Sequence, residues 1–131
     1  MSVELEKLKE YFDGKKEISM AFLFGSAATG REISESDVDV AVWFEKEYSL
    51  KEVDELQGGI EDLLHKNVDL IVLNTARPTV AWAALRGKPL LIRNYKLYLS
   101  KMLDFSMEAE DFRGFLFDLW ALRRKLRGDF A

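Results

Sequence analysis

No cysteine occurs among the 131 residues, which removes disulfides, thiolate zinc sites and cysteine nucleophiles from consideration. Histidine occurs once, as His65, so a metal would have to be held by hard carboxylate oxygens with at most one imidazole. Long apolar runs are missing too: the most apolar stretches, residues 20–24 and 38–44, fall far short of the roughly 20 residues that span a bilayer. An excess of basic charge is also lacking. A formal net charge of −4 argues against a nucleic-acid scaffold, which needs clustered lysine and arginine, although a local basic patch stays compatible with it. Near the start of the chain, Glu4, Glu6 and Glu10 are unlike the basic-then-apolar order of a secretory signal. The expectation is a cytoplasmic protein with no membrane contact and no direct nucleic-acid binding.

What is present suits one compact domain over residues 1–131, because 48% hydrophobic residues can build a core while 32% charged residues keep the surface solvated. Residues 3–12 carry Leu5, Leu8 and Phe12 at helical spacing, with Gly14 as a C-cap. Residues 18–24 have the length and apolarity of a strand and run into the turn pair Gly25-Ser26, followed by a polar loop over 25–36. Residues 37–44 alternate strictly: Val38, Val40, Val42 and Phe44 face one way, Asp37, Asp39, Ala41 and Trp43 the other. Ser49 and Glu52 form a capping box ahead of a helix carrying Leu50, Val53, Leu56, Ile60, Leu63 and Leu64, which Gly58-Gly59 weakens.

A third strand is expected over 68–73. A short helix follows from Pro78 to about Arg86 with Gly87 as its cap, then an edge strand over 88–93 marked by Pro89. Helical segments over about 95–108 and 110–127 close the chain. The fold class is therefore α/β (α+β): a mixed central sheet of about four strands flanked by helices. A core over about 15–93 carries a C-terminal helical segment over about 95–127. That segment holds Phe105, Met107, Phe112, Phe115, Phe117, Leu119 and Trp120, more large apolar residues than one helix stripe requires. They either cover the sheet or face a partner. Arg123, Arg124, Lys125 and Arg127 read as a solvated helix end and His65 as a surface histidine near a helix C-terminus; Trp82 reads as helix-face core. Trp43 lies on the carboxylate side of its strand, either flanking a nucleotide base or packing at the edge.

The chemistry lies in Gly25-Ser26, a spacer of ten residues, Asp37-Val38-Asp39, and Asp69 on the next strand. Two-residue spacing along a strand puts Asp37 and Asp39 on one face, with Cα atoms roughly 6.5 to 7 Å apart. Such a pair is electrostatically costly unless a cation neutralises it, and Mg²⁺ or Mn²⁺ prefers such oxygens together with substrate phosphate. At the turn, Gly25 has no side chain to block a phosphate, backbone N–H groups can point at its oxygens, and Ser26 adds a hydroxyl. An Asp-x-Asp alone is more often a solvated strand face, and Gly-Ser alone carries almost nothing. Their conjunction forms one connected arrangement that can clamp a triphosphate and polarise its α-phosphorus.

The run from Phe22 through Gly25-Ser26 and Asp37-Val38-Asp39 to Val42 resembles the signature of the polymerase-beta-like nucleotidyltransferase superfamily. The later segments Val68-Asp-Leu-Ile-Val-Leu-Asn74, Ala76-Arg-Pro78 and Leu85-Arg-Gly-Lys-Pro-Leu-Leu91 resemble its minimal nucleotidyltransferases, so the likeness covers nearly the whole chain. It implies the nucleotidyltransferase fold, with Asp37 and Asp39 as metal ligands. Asp69 is implied as the third carboxylate, which completes the metal site and helps deprotonate an attacking hydroxyl. Gly25 and Ser26 are implied as triphosphate contacts. Members often carry an arginine in the turn after Gly-Ser; here Ala27, Ala28 and Thr29 stand there, and Arg31 is the candidate substitute.

Small members resemble the antitoxin half of HEPN/MNT toxin–antitoxin pairs, which attach AMP from ATP to a tyrosine of a helical HEPN ribonuclease. The resemblance thus implies ATP as substrate, Mg²⁺ (or Mn²⁺) as cofactor and a HEPN-type toxin as partner, with homo-oligomerisation left open. A chain of this length has no room for a separate acceptor-binding domain, so the acceptor surface is expected to come from elsewhere. Two other readings stand beside this one: an antitoxin acting by occlusion alone, and a small-molecule nucleotidyltransferase of the aminoglycoside-modifying kind.

Overall fold

The computed structural model describes residues 2–25 and 38–130. Nine elements follow in order: α1 (Ser2–Asp13), β1 (Ile18–Phe24), β2 (Val38–Phe44), α2 (Leu50–Leu64), β3 (Val68–Val72), α3 (Pro78–Leu85), β4 (Lys88–Ile92), α4 (Tyr95–Glu108) and α5 (Phe112–Phe130). The strands form one mixed sheet in the order β3-β2-β1-β4. β1 is antiparallel to both β2 and β4, whereas β2 and β3 are parallel. A parallel pair needs a crossover, and α2 supplies it. β4 lies at an edge, the position at which a strand tolerates a proline such as Pro89.

The alternation in β2 sorts the core into two layers. Val38, Val40, Val42 and Phe44 join Leu8 and Phe12 of α1 and Leu56, Ile60 and Leu64 of α2 on one face. On the other, Ala41 joins Met20 and Phe22 of β1 and the apolar sides of α3, α4 and α5. β1 is buried on both faces, so it reads as a continuous apolar run rather than an alternating one.

The Ser49–Glu52 capping box forms as expected: Ser49 Oγ accepts from the Glu52 N–H at 3.2 Å, and Glu52 Oε1 accepts from the Ser49 N–H at 3.3 Å. Two glycine expectations are corrected. Among the described residues Gly25 alone of the glycines has a positive φ, so neither Gly14 nor Gly87 is a left-handed cap. Arg86 ends α3 with right-handed backbone, and Gly87 instead lets β4 pass close to β1, where a Cβ would press on the Leu23 carbonyl and on Phe24. The left-handed position falls on His65 (φ 55°), whose N–H donates to the Glu61 carbonyl at 2.7 Å and closes α2.

Gly58 and Gly59 sit inside α2 with different duties. A Cβ on Gly59 would collide with the Tyr11 hydroxyl, so that glycine lets α1 and α2 approach, whereas Gly58 has open space around it. Gly58→Ala should therefore raise stability by about 0.5–1 kcal/mol through better helix propensity and a less free unfolded chain. A higher denaturation midpoint in urea checks this; an unchanged or lower midpoint counts against it.

Long-range polar contacts pin the ends of elements. Asn74 brackets Phe44, accepting from its N–H at 2.9 Å and donating to its carbonyl at 3.0 Å. Arg93 donates to the carbonyls of Ile18, Phe12, Asp13 and Lys15 and so satisfies the exposed end of α1. Asp111 caps α5 by accepting from the Gly114 N–H at 3.0 Å, while its other oxygen accepts from Trp82 Nε1 at 2.8 Å. The Trp82 hydrogen bond, then the Gly114 N–H, and after them the Arg86 charge, hold the Asp111 carboxyl below its ordinary range. Arg86 pairs with both Asp111 (3.1 Å) and Asp118 (2.9 Å), tying the end of α3 to α5. The C-terminal apolar residues divide: Phe105 and Phe115 are buried and Leu119 packs against them, whereas Met107, Phe112, Phe117 and Trp120 are exposed.

Candidate active site

β1 ends where β2 and β3 begin, and this shared end of the sheet gathers the site. In the register, Asp39 pairs with Phe24 on one side and with Asp69 on the other. Directly opposed residues on neighbouring strands project to the same face, with strands about 4.8 Å apart. Asp39 shares its face with Ala41, and the parallel register carries Asp69 there too. Asp39 is half-buried and Asp69 is exposed. Glu61 helps set this register, because its carboxylate accepts from the Val68 N–H at 2.9 Å and fixes the start of β3. Phe24 and Ile71, both half-buried, flank the carboxylates with apolar surface on the same side. The alternation of Met20, Phe22 and Phe24 was the signal available for that neighbour.

Gly25 completes the arrangement. Its φ of 74° lies in the left-handed region that glycine alone enters without steric cost. A Cβ at this position would collide with Oδ2 of Asp39, so the carboxylate rests against bare backbone where any other residue would carry a side chain. The structure therefore brings together Gly25, Asp39 and Asp69 of the residues singled out from sequence. Asp37, Ser26 and Arg31 lie outside the described residues.

Trp43 is four residues beyond Asp39, about 13 Å along the strand, where Lys101 of α4 lies over its ring at 4.9 Å from the centroid. It packs at the far end of the sheet, away from the carboxylates. His65 is exposed at the end of α2, and Trp82 is buried as expected. No helix among the described residues is long and apolar enough to cross a membrane.

The chemistry of the donor set fits a hard divalent cation. Two carboxylates oppose each other across adjacent strands, no thiolate exists in the chain, and the cradle beside Asp39 admits no side chain. Among the described residues alone, no group of three acidic or histidine side chains forms a complete ligand set.

Residues 6–96 match the family described as "Polymerase beta, Nucleotidyltransferase". The chain belongs to that family and is a nucleotidyltransferase. It is similar to the protein adenylyltransferase MntA of Thermococcus cleftensis, with 35% identity over 86 residues, covering 66% of this chain and 83% of the relative. In fold it is similar to the MNT antitoxin complexed with the tri-AMPylated HEPN toxin of Shewanella oneidensis, with a TM-score of 0.66 and 18% identity over 98% of this chain and 97% of the other. A toxin–antitoxin structure with AMP-PNP matches similarly, with a TM-score of 0.66 and 21% identity over 97% of this chain and 95% of the other.

Proposed function

We propose that this protein is a protein adenylyltransferase that moves AMP from ATP to a tyrosine of a HEPN-type ribonuclease toxin and so acts as that toxin's antitoxin. The observation that carries the reading is the facing pair Asp39 and Asp69 set against the bare backbone of Gly25. The relative named as an adenylyltransferase and the fold likeness to antitoxins in toxin complexes support the choice of nucleotide and acceptor. The same reading takes residues 1–131 as one catalytic domain and places it in the cytoplasm, where ATP and a ribonuclease toxin meet.

In this mechanism Asp37, Asp39 and Asp69 would hold Mg²⁺ or Mn²⁺. When bound, the ion supplies positive charge beside the α-phosphate and the departing pyrophosphate. Gly25 gives the triphosphate a close approach to backbone N–H groups, Ser26 donates its hydroxyl, and Arg31 contributes a cation to the phosphates. The acceptor tyrosine oxygen attacks the α-phosphorus, an O–P bond forms, the bond from that phosphorus to the bridging oxygen breaks, and pyrophosphate leaves with the electron pair. Asp69, solvent-exposed at the start of β3, takes the hydroxyl proton as the oxygen attacks.

Incubation of the wild-type protein with ATP, Mg²⁺ and the cognate HEPN-type toxin should give toxin carrying AMP on a tyrosine, located by tandem mass spectrometry. Asp69→Asn should slow the transfer by roughly 10²–10⁴-fold, the range for loss of a general base. Unmodified toxin in the wild-type reaction, despite a stable complex and bound ATP, would defeat the proposal and leave occlusion as the mode of neutralisation.

A further inference from the structure

We infer that the outer face of α5 is the surface on which the acceptor protein docks, and that the acceptor meets it with an apolar helix face rimmed by carboxylates. The inference rests on the adenylyl-transfer reading for the acceptor's identity as a HEPN-type toxin. α5 buries Phe115 against the sheet-covering layer but leaves Leu116, Phe117 and Trp120 exposed at 46%, 74% and 69%. Arg113, Leu116, Phe117, Trp120 and Arg124 recur at helical spacing and line an open groove of about 380 Å³. Trp120 also borders a second groove of about 400 Å³, walled by Arg123, Arg124 and Arg127. Helix-end arginines have a sufficient cause in the macrodipole. An exposed tryptophan and phenylalanine between them do not, and tryptophan beside arginine is the composition of interface hot spots.

Charge selects the occupant. The chain is acidic overall, yet α5 carries Arg113, Arg123, Arg124, Lys125 and Arg127 against Asp118 and Asp129, and Asp118 is already engaged by Arg86. This face is thus a basic patch on an acidic protein, complementary to a partner with carboxylates around an apolar strip. A second copy meeting it symmetrically would set arginine against arginine, which disfavours self-association there. Position agrees with charge. Arg86 fastens α5 to the end of α3, Gly87 leads directly into β4, and Lys88 pairs with Leu23, two residues before Gly25. These contacts tie α5 itself to the end of the sheet that holds Asp39 and Asp69, where an acceptor must deliver its hydroxyl.

The test uses the full chain and its cognate HEPN-type toxin. Phe117→Asp/Trp120→Asp should weaken toxin binding by roughly 10²-fold or more in calorimetry, with ATP binding and the thermal midpoint unchanged. Arg113→Glu/Arg124→Glu should lower the association rate and flatten its salt dependence. Trp120→Ala alone keeps the test valid if the double aspartate variant folds poorly. Toxin binding at wild-type strength in these variants overturns the docking face, and so does a sedimentation or RNA-binding experiment in which the same substitutions abolish only self-association or oligonucleotide binding. Wild-type protein that binds toxin through this face without transferring AMP upholds the face and removes the catalytic reading. Transfer at the wild-type rate by the variants does the reverse.

Discussion

Asp39→Asn should lower the rate of AMP transfer by at least about 10²-fold, the loss typical of removing one preorganised electrostatic group, while the protein stays folded. Asparagine is nearly isosteric, so the half-buried position keeps its packing, but the negative charge facing Asp69 is gone. With one charge fewer, the site's attraction for a divalent cation falls, and Mg²⁺-dependent ATP binding should weaken together with turnover. The exposed Asp62 on α2 serves as a control, since Asp62→Asn makes the same chemical change outside the carboxylate pair. Equal activity in wild type, Asp39→Asn and Asp62→Asn would remove Asp39 from the catalytic machinery.

Gly25→Ala should harm stability and activity together, which separates it from Asp39→Asn. The left-handed backbone at φ 74° costs an L-residue about 1–2 kcal/mol. Beyond that strain, the added methyl would occupy the position of the Asp39 carboxylate, forcing either the strand end or the carboxylate to move. A displacement of about 1 Å in a catalytic group is enough to cost on the order of 10²-fold in rate. The expected pattern is a lower unfolding midpoint with transfer reduced by at least that factor. Gly25→Ala with wild-type turnover would show that the contact between the bend and the carboxylate has no part in catalysis.

The part of the candidate site that lies among the described residues was legible in the sequence, because its logic is local. The strict alternation of residues 38–44 placed Asp39 opposite the valines, and the turn glycine ended β1 where the structure ends it. The capping box likewise depends on residues three apart and forms as read. Contacts between segments were not legible. Gly14 and Gly87 had the sequence setting of helix caps, but the need at Gly87 comes from the Leu23 carbonyl, more than 60 residues earlier, which no local pattern shows. Arg93 reaches back to the end of α1, and the Trp82–Arg86–Asp111–Asp118 cluster joins residues 25 to 32 positions apart. The C-terminal aromatics illustrate the same limit: their excess was visible, but which ones turn inward follows from how α5 lies on α4 and α3, and the structure divides them between core and surface.

Double labelling of the nucleotide tests the central claim most directly. Wild-type protein, Mg²⁺ and cognate toxin are incubated in parallel with ATP labelled at the α-phosphate and ATP labelled at the γ-phosphate. If Asp37, Asp39 and Asp69 beside the Gly25 bend direct attack at the α-phosphorus, the toxin acquires the α-label only and the γ-label appears in pyrophosphate. Toxin that carries the γ-label, or a γ-label released as free phosphate with the α-label left in ADP, would contradict it.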